Sequence, residues 1–505
     1  MSNPLYDGLF AAHEGKQTTF IFDSLTKSEV SYDAFLKQAS QYANAITQQG
    51  LQPGDRLAAQ VGKSVSTLAL YAACVQAGVV YLPLNTAYTL AEIDYFVKDS
   101  GAKLLVCKPE LAASMANMAK QYNAILMTQS DDGLSGSLPD AARSLPIEFT
   151  TVDRVNDDIA SFLYTSGTTG RSKGAMLTQN NLLSNSETLK EAWEFTEEDV
   201  LLHALPIFHI HGLFVAVNVA LKSGAKIILE PSFNLDRVIE LLPNVTSLMG
   251  VPTFYTRLLN DERFNRALTQ HMRLFISGSA PLLSETHVQF EQRTGHRILE
   301  RYGMTETNMN TSNPYRGERR AGTVGFPLPN VELKITDPVT GDTLPTGEIG
   351  QIEVRGPNVF KGYWNMPEKT AEELRSNGYF ITGDLGTIDE EGYVSIVGRN
   401  KDLIISGGYN IYPKEIELIL DEQPGVVESA IIGVPHPDFG ETVVGVLVAD
   451  EKLVDLDKIQ LAVKDALARF KHPRQLVVID ALPRNTMGKV QKNILRETYK
   501  GLFTH

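Results

Sequence analysis

The sequence predicts an α/β protein: a large N-terminal domain of two α/β subdomains plus a small β-barrel, followed by a smaller α+β C-terminal domain. Three observations carry this. Short apolar strands alternate with helical patterns over residues 1 to about 150, and the rhythm repeats from about 150 to 315, as in parallel sheets covered by helices. From 320 to 398 the rhythm breaks into short strands separated by Asp337-Pro338, Thr346-Gly347 and Glu391-Gly392, which suits a small antiparallel barrel. Beyond 402, strands and two helices mix in one module. The boundaries so read are 1–398 and 402–505.

In the first subdomain, Gly54-Asp55-Arg56 leads into the strand LAAQV. Residues 63–77 read as a helix, VVYLPLN as a strand, 90–100 as a helix and KLLVC as a strand. Residues 128–146, rich in Ser, Asp and Gly, read as a surface connection. In the second, IASFLYT, VLLHALP, AKIILE, SLMGVP, RLFISG and HRILERYG are strand-like. The barrel strands are VELKITD, GEIGQIEVRG and GYVSIVG. The last module runs DLIISGG, a helix from Pro413, VVESAIIGVP, VVGVLVAD, a helix over 456–470 and QLVVID.

Composition bounds the function. The 505 residues carry 46 basic and 60 acidic side chains, a formal charge of −14. That balance disfavours general nucleic-acid binding. The 40 residues before Gly501 oppose it, with nine Lys/Arg against three Asp/Glu: a solvated basic face, or a domain that closes over phosphates. Two cysteines, Cys74 and Cys107, exclude a disulfide scaffold and a Cys-rich metal site. The start MSNPLYDGLF lacks a basic, apolar leader. The uncharged stretches 67–84 and 205–221 are interrupted by Gln76, Gly78 and Pro83, and by His209, His211 and Asn218. They read as buried elements joined to turns rather than membrane spans. The expectation is a cytoplasmic protein, monomer or homodimer, with no membrane partner.

The strongest local motif is Tyr164-Thr-Ser-Gly-Thr-Thr-Gly-Arg-Ser-Lys-Gly174, after the strand IASFL. Small residues let backbone N–H groups and hydroxyls wrap a polyphosphate, and cations neutralise it. The alternative is a flexible hairpin turn. A Walker A loop is excluded, because Ser172 and Gly174 flank Lys173 where Gly and Ser or Thr would be required. Residues 175–177 read as a further strand, with a helix from about 178–180.

This loop resembles the phosphate loop of the adenylate-forming superfamily of acyl-CoA synthetases, adenylation domains and luciferases. The resemblance spans the chain, since further motifs recur in order: PIFHIH at 206–211, SGSAP at 277–281, YGMTE at 302–306, YFITGD at 379–384, GRNKD at 398–402 and PRNTMGK at 483–489. The segments ERYGMTETNMNTSNP and GAMLTQNNLLSN are most similar to malonyl-CoA synthetases. The resemblance implies ATP and coenzyme A as cosubstrates, Mg2+ as metal, and two half-reactions: a carboxylate displaces pyrophosphate from ATP, then CoA displaces AMP.

Residue by residue, the resemblance implies the following roles. Thr165, Ser166, Gly167, Thr168, Thr169, Gly170 and Lys173 bind ATP phosphates. Glu306 contacts the magnesium, and Thr305 offers its hydroxyl to the α-phosphate. Ser279, Ala280, Glu300 and Tyr302 frame adenine. Asp384 and Arg399 hold the ribose. Lys489 bridges the substrate carboxylate and the α-phosphate. Residues 399–401 form a hinge centred on Lys401, about which the C-terminal domain is mobile, and Gly407 and Gly408 approach the pantetheine arm. Read alone, each charged residue here is equally a surface charge or a cap.

The acid pocket rests on fewer residues. His209 matches the family's active-site histidine, and in an extended segment His209 and His211 would face one side. A zinc reading lacks a third ligand. Arg301 lies inside Glu-Arg-Tyr-Gly. A guanidinium is costly in an apolar pocket unless a carboxylate pairs it, which favours a short diacid docked on Arg301. The alternative turns Arg301 outward to an acidic partner. Ser279 and Arg171 are further acid contacts. The function so implied joins malonate, or methylmalonate, to CoA. A ligase for another short acid and a carrier-protein-loading adenylation enzyme are the alternatives.

Overall fold

The helix Val65–Ala77 is buried along its whole length, so its apolar character runs all round rather than along one stripe. Ser64 caps its start by accepting from Thr67 N–H, and Gly78, at φ 69°, ends it. The computed structural model describes residues 2–165, 172–406, 409–450, 452–485 and 488–503.

The chain divides into two compact units. The first comprises residues 1–321, 326–332 and 354–380; the second comprises 322–325, 333–353 and 381–505. The first unit holds both large sheets. One has seven strands in the order 362–363, 173–178, 159–165, 80–83, 56–60, 104–107 and 125–128. The other has nine, in the order 326–327, 308–312, 299–304, 274–277, 247–250, 200–203, 226–229, 19–23 and 28–31. Both are parallel through their centres, as the alternation of strands and helices requires.

The sheets do not follow the subdomain boundary read from sequence. Strands Thr19–Asp23 and Ser28–Ser31 pair at the edge of the nine-stranded sheet. Strands Ile159–Thr165 and Lys173–Thr178 complete the seven-stranded one. A pattern of alternation marks that strands exist, whereas pairing is set by non-local contacts. The connection at 128–146 contains a short helix, Ser137–Ala142. The helix following the phosphate-loop motif begins at Gln179, capped by Thr178 through a reciprocal bond with Asn181.

The expected barrel is an open sheet. Strands Glu332–Thr336, Gly350–Arg355, Phe380–Ile388 and Val394–Arg399 lie in that order. The first and last stand at opposite edges, so the ladder does not close as a barrel demands. Downstream, strands Val426–His436 and Gly440–Ala449 pair antiparallel, and Gln475–Val478 joins parallel. Alternate residues of strand 426–436 enter two cores. Ile431 packs with Ile416, Leu420 and Val463, while Ala430, Ile432 and Val434 pack with Leu482 and Leu495. The helix read over 456–470 stops at Ala466, because Leu467 turns extended. No helix among the described residues is long and apolar enough to cross a membrane.

Candidate active site

In the first unit, Thr165 and Lys173 stand opposite each other in an antiparallel hairpin, at the base of the phosphate-loop motif. Ser166, Gly167, Thr168, Thr169, Gly170 and Arg171 lie outside the described residues. The Lys173 ammonium is 3.3 Å from both carboxylate oxygens of Glu373 and 4.0 Å from the centre of the Tyr363 ring.

Strand Leu299–Met304 turns tightly into strand Asn308–Ser312. Gly303 is required in that hairpin, since a Cβ would lie 2.0 Å from the Asn308 carbonyl oxygen. The turn carries Thr305, half-buried, and Glu306, buried. Glu306 Oε1 is 3.0 Å from Tyr363 Oη and 3.4 Å from Thr165 Oγ1. Its backbone carbonyl accepts from Phe360 N–H at 2.8 Å. Tyr363 Oη also meets Glu373 Oε2 at 2.6 Å. Burial, then the nearby Glu306 and Glu373 charges, pushes the Tyr363 phenol far above its ordinary range.

A divalent cation that bridges phosphates takes oxygen ligands and needs only one or two carboxylates beside the phosphates themselves. The buried Glu306 carboxylate, with the Thr165 hydroxyl beside it, fits that requirement. Among the described residues, no cluster of three His, Cys, Asp or Glu could hold a metal unaided.

The residues read from sequence as the acid side come from three segments. Strand Leu274–Ser277 ends at Gly278, and the Arg301 guanidinium lies against this glycine: a Cβ there would be 2.4 Å from Arg301 Cζ. Ser279 follows at φ 71°, a left-handed conformation rare for serine. Its Oγ is 3.2 Å from His211 Nδ1. Arg301 is 4% exposed. Among the described residues its Nε and Nη2 find no hydrogen-bond partner. The guanidinium therefore points inward, and the outward alternative is set aside. Burial pulls Arg301 down to about 9, with Tyr255 working the other way.

The His pair is not extended. His211 opens a π-helix, His211–Val217, an element common at functional sites. His211 is buried and His209 half-buried. Burial first, then Arg301, His203 and His209, holds His211 well below the usual histidine range, so its ring is neutral. Glu300 Oε1 lies 3.5 Å from His287 Nδ1. Tyr302 and Ala280 are half-buried.

The second unit carries the remaining residues. Asp384 and Arg399 are register partners in adjacent antiparallel strands, and Arg399 Nε binds Asp384 Oδ1 at 2.8 Å. Asp384 is 4% exposed, so the ion pair holds a buried carboxylate. Lys401 sits in the 3-10 turn Asn400–Asp402. Gly407 and Gly408 lie outside the described residues. Lys489 is exposed, and its backbone N–H donates to Asn485 Oδ1 at 3.0 Å. Gly488 before it takes φ 75°.

Tyr363 and Glu373, which hold Glu306 and Lys173, are absent from the sequence reading. A tyrosine in GYW and a glutamate in a charged helix carry no local signal of that role.

The AMP-binding enzyme family matches residues 10–364, and the AMP-binding enzyme C-terminal domain matches residues 415–489. A malonate–CoA ligase of Arabidopsis thaliana is 37% identical over 460 residues, covering 83% of this chain and 74% of the relative. A feruloyl-CoA synthase of an Amycolatopsis species is 35% identical over 475 residues, covering 93% and 94%. The crystal structure of ATP-bound MatB from Rhodopseudomonas palustris is 55% identical, covers 100% of both chains and superposes with a TM-score of 0.97.

Proposed function

The chain belongs to the AMP-binding enzyme family, and on that premise we propose that it joins malonate to coenzyme A. Malonate and ATP give malonyl-AMP and pyrophosphate. The CoA thiol then displaces AMP, leaving malonyl-CoA. Methylmalonate, which keeps both carboxylates, is the nearest further substrate.

The observation that carries this choice of acid is Arg301. Burying a guanidinium with two N–H-bearing atoms unmatched costs several kcal/mol, and a carboxylate returns that cost in a forked pair. An acid with one carboxylate spends it on phosphorus and leaves Arg301 unmatched. Malonate brings a second, and the neutral His211 beside Arg301 adds no competing charge. The malonate–CoA ligase relative and MatB support the same reading. An aromatic acid, as for the feruloyl-CoA relative, would bury Arg301 unpaired.

The residues divide the work by charge. Thr165, Lys173 and the loop between them neutralise the triphosphate, which repels an incoming carboxylate. Glu306 would hold the Mg2+ that draws off phosphate charge when it is bound. Asp384, braced by Arg399, accepts from the ribose hydroxyls. Lys489 supplies an ammonium between carboxylate and α-phosphate, and preorganised charge of this kind is the larger part of such catalysis. Residues 399–401 act as the hinge between half-reactions, and Gly407 and Gly408 admit the pantetheine arm. We further read the enzyme as cytoplasmic, acting as a monomer or homodimer on small anionic substrates.

A pyrophosphate-release assay across malonate, methylmalonate, succinate, acetate, propionate and ferulate tests the reading. Malonate should give the highest kcat/KM. A preference for any monocarboxylate overturns it, and an acyl product found only with a carrier protein would make it a carrier-loading enzyme.

A further inference from the structure

Lys63 stands just ahead of the helix Val65–Ala77, apart from every motif above. Its Nζ donates to three backbone carbonyls, those of His203 at 2.8 Å, Leu205 at 2.9 Å and Glu230 at 2.7 Å. An ammonium has three protons, so all are committed. The acceptors cluster at the ends of strands Val200–His203 and Lys226–Leu229 in the nine-stranded sheet, whereas Lys63 follows strand Arg56–Gln60 of the seven-stranded one. The Glu230 side chain is engaged elsewhere, by the Ser24 hydroxyl and, at 3.6 Å, by Arg237. Burial lowers the Lys63 pKa well below its usual range, and the Glu230 charge works against that shift.

The carbonyls of His203 and Leu205 begin the segment that carries the His pair. Its neck is closed twice more. His203 Nε2 lies 2.7 Å from the Gly212 carbonyl oxygen. Burial and the Lys63 charge bring His203 down to about 3, so the ring is neutral and Nε2 carries the proton it donates. Pro206 O packs so near Gly212 that a Cβ there would come within 2.0 Å. Residues 203–212 thus form a stapled loop whose stem position depends on Lys63. At that neck, beside Gly212, His211 reaches Ser279 at 3.2 Å. The group around Glu306 is held by other elements, through Tyr363 and Phe360.

We propose that Lys63 is the positioning residue of the acid pocket: by fixing the stem of the 203–212 loop, its ammonium sets where His209 and His211 stand against Arg301. This rests on the acid-pocket reading above. The three carbonyls commit the Lys63 ammonium, so it acts through the loop that carries the His pair and not by direct contact.

The test is steady-state kinetics of Lys63→Met, which keeps the stem and loses the ammonium, with Lys63→Arg and wild type in parallel. Displacing a substrate-contacting loop by about 1 Å costs up to 100-fold. KM for malonate should rise about 10-fold or more, with KM for ATP within about twofold, and the preference for malonate over propionate should shrink. Lys63→Arg keeps the charge but its planar fork cannot meet three carbonyls set around a tetrahedral ammonium, so its KM should fall between the two. Equal rises in both KM values, an unchanged KM for malonate, or failure of both variants to fold would make Lys63 a clamp between sheets and overturn the proposal. Wild type that prefers a monocarboxylate would instead remove the acid-pocket reading, and the proposal with it.

Discussion

The phenol oxygen of Tyr363 lies 3.0 Å from Glu306 Oε1 while also meeting Glu373 Oε2 at 2.6 Å. One phenolic proton therefore serves two carboxylates. Glu373 has cationic partners in Lys173 and Lys369, at 3.3 and 2.9 Å. Glu306 has hydroxyl neighbours in Tyr363 and Thr165. On the proposed reading Glu306 would hold a divalent cation, and the phenol proton would then be left to Glu373.

The Tyr363 hydroxyl should thus matter to the nucleotide half of the site. Tyr363→Phe removes a buried bond to a charged group, a change of about 1.5–3 kcal/mol, or roughly 10- to 150-fold. We expect KM for MgATP to rise on that scale, with Mn2+ affinity in the presence of ATP, read by electron paramagnetic resonance, weakened in parallel. KM for malonate should move little. An unchanged Mn2+ affinity would mean that the phenol merely fills space behind Glu306.

Arg301 makes the complementary prediction on the acid side. Arg301→Met preserves the stem and deletes the fork. Removing one partner of a desolvated, hydrogen-bonded charge pair costs about 2–5 kcal/mol, roughly 30- to several-thousand-fold in kcat/KM. Malonate should lose that much, whereas acetate and propionate, which have no second charge, should hold steady or gain. Retained malonate preference would move the selecting cation elsewhere, with Arg171 next to substitute.

Much of this site is legible in the sequence because phosphate chemistry demands local runs of residues. The segment around Thr165 and Lys173 and the turn carrying Thr305 and Glu306 are short local runs, whereas Asp384 and Arg399 belong to two separate motifs and are singled out only through the family resemblance. Arg301 is singled out for another reason: a guanidinium in an apolar pocket needs a carboxylate to pair it. What stays hidden acts across long separations. Lys63 binds carbonyls 140 to 167 positions away, and backbone acceptors carry no residue identity to read. Tyr363 and Glu373 meet Glu306 and Lys173 only once two sheets have formed. The π-helix at His211 is equally silent, since alternation of two histidines suits a strand as well. Strand Thr19–Asp23 reads correctly as a strand, yet its pairing with Lys226–Leu229 depends on partners two hundred residues on.

The lowered pKa of Arg301 has a consequence for pH. It is a base whose burial favours the neutral form, bringing it to about 9. On the proposed reading the cation that pairs malonate is present below that value and is lost as pH rises through it, and kcat/KM reports the free enzyme. The free-enzyme profile of kcat/KM for malonate should therefore fall on the alkaline side near pH 9, while the profile for propionate stays level there. Arg301→Met should lose the difference between the two. Parallel alkaline falls for both acids would assign the limb to a group on the nucleotide side.

On the proposed reading, Lys489 separates the two half-reactions. It is an exposed lysine beside a glycine at φ 75°, and its backbone N–H donates to the Asn485 side chain. In adenylation a carboxylate must approach an anionic α-phosphate, and an ammonium between them offsets their repulsion. In thioester formation the attacking group is a thiol and the bond to be broken joins acyl carbon to AMP, so that ammonium has no carboxylate left to neutralise. Lys489→Ala should cut malonate-dependent pyrophosphate release by about 100-fold or more, the scale of losing one charge-stabilising group. Supplied with preformed malonyl-adenylate and CoA, the same variant should make thioester at close to the wild-type rate. Lysine-to-arginine replacement should restore only part of the first step, because the guanidinium is broader and spreads its charge. If the variant loses both half-reactions equally, Lys489 does not divide them, and the basic C-terminal segment serves only to hold the nucleotide.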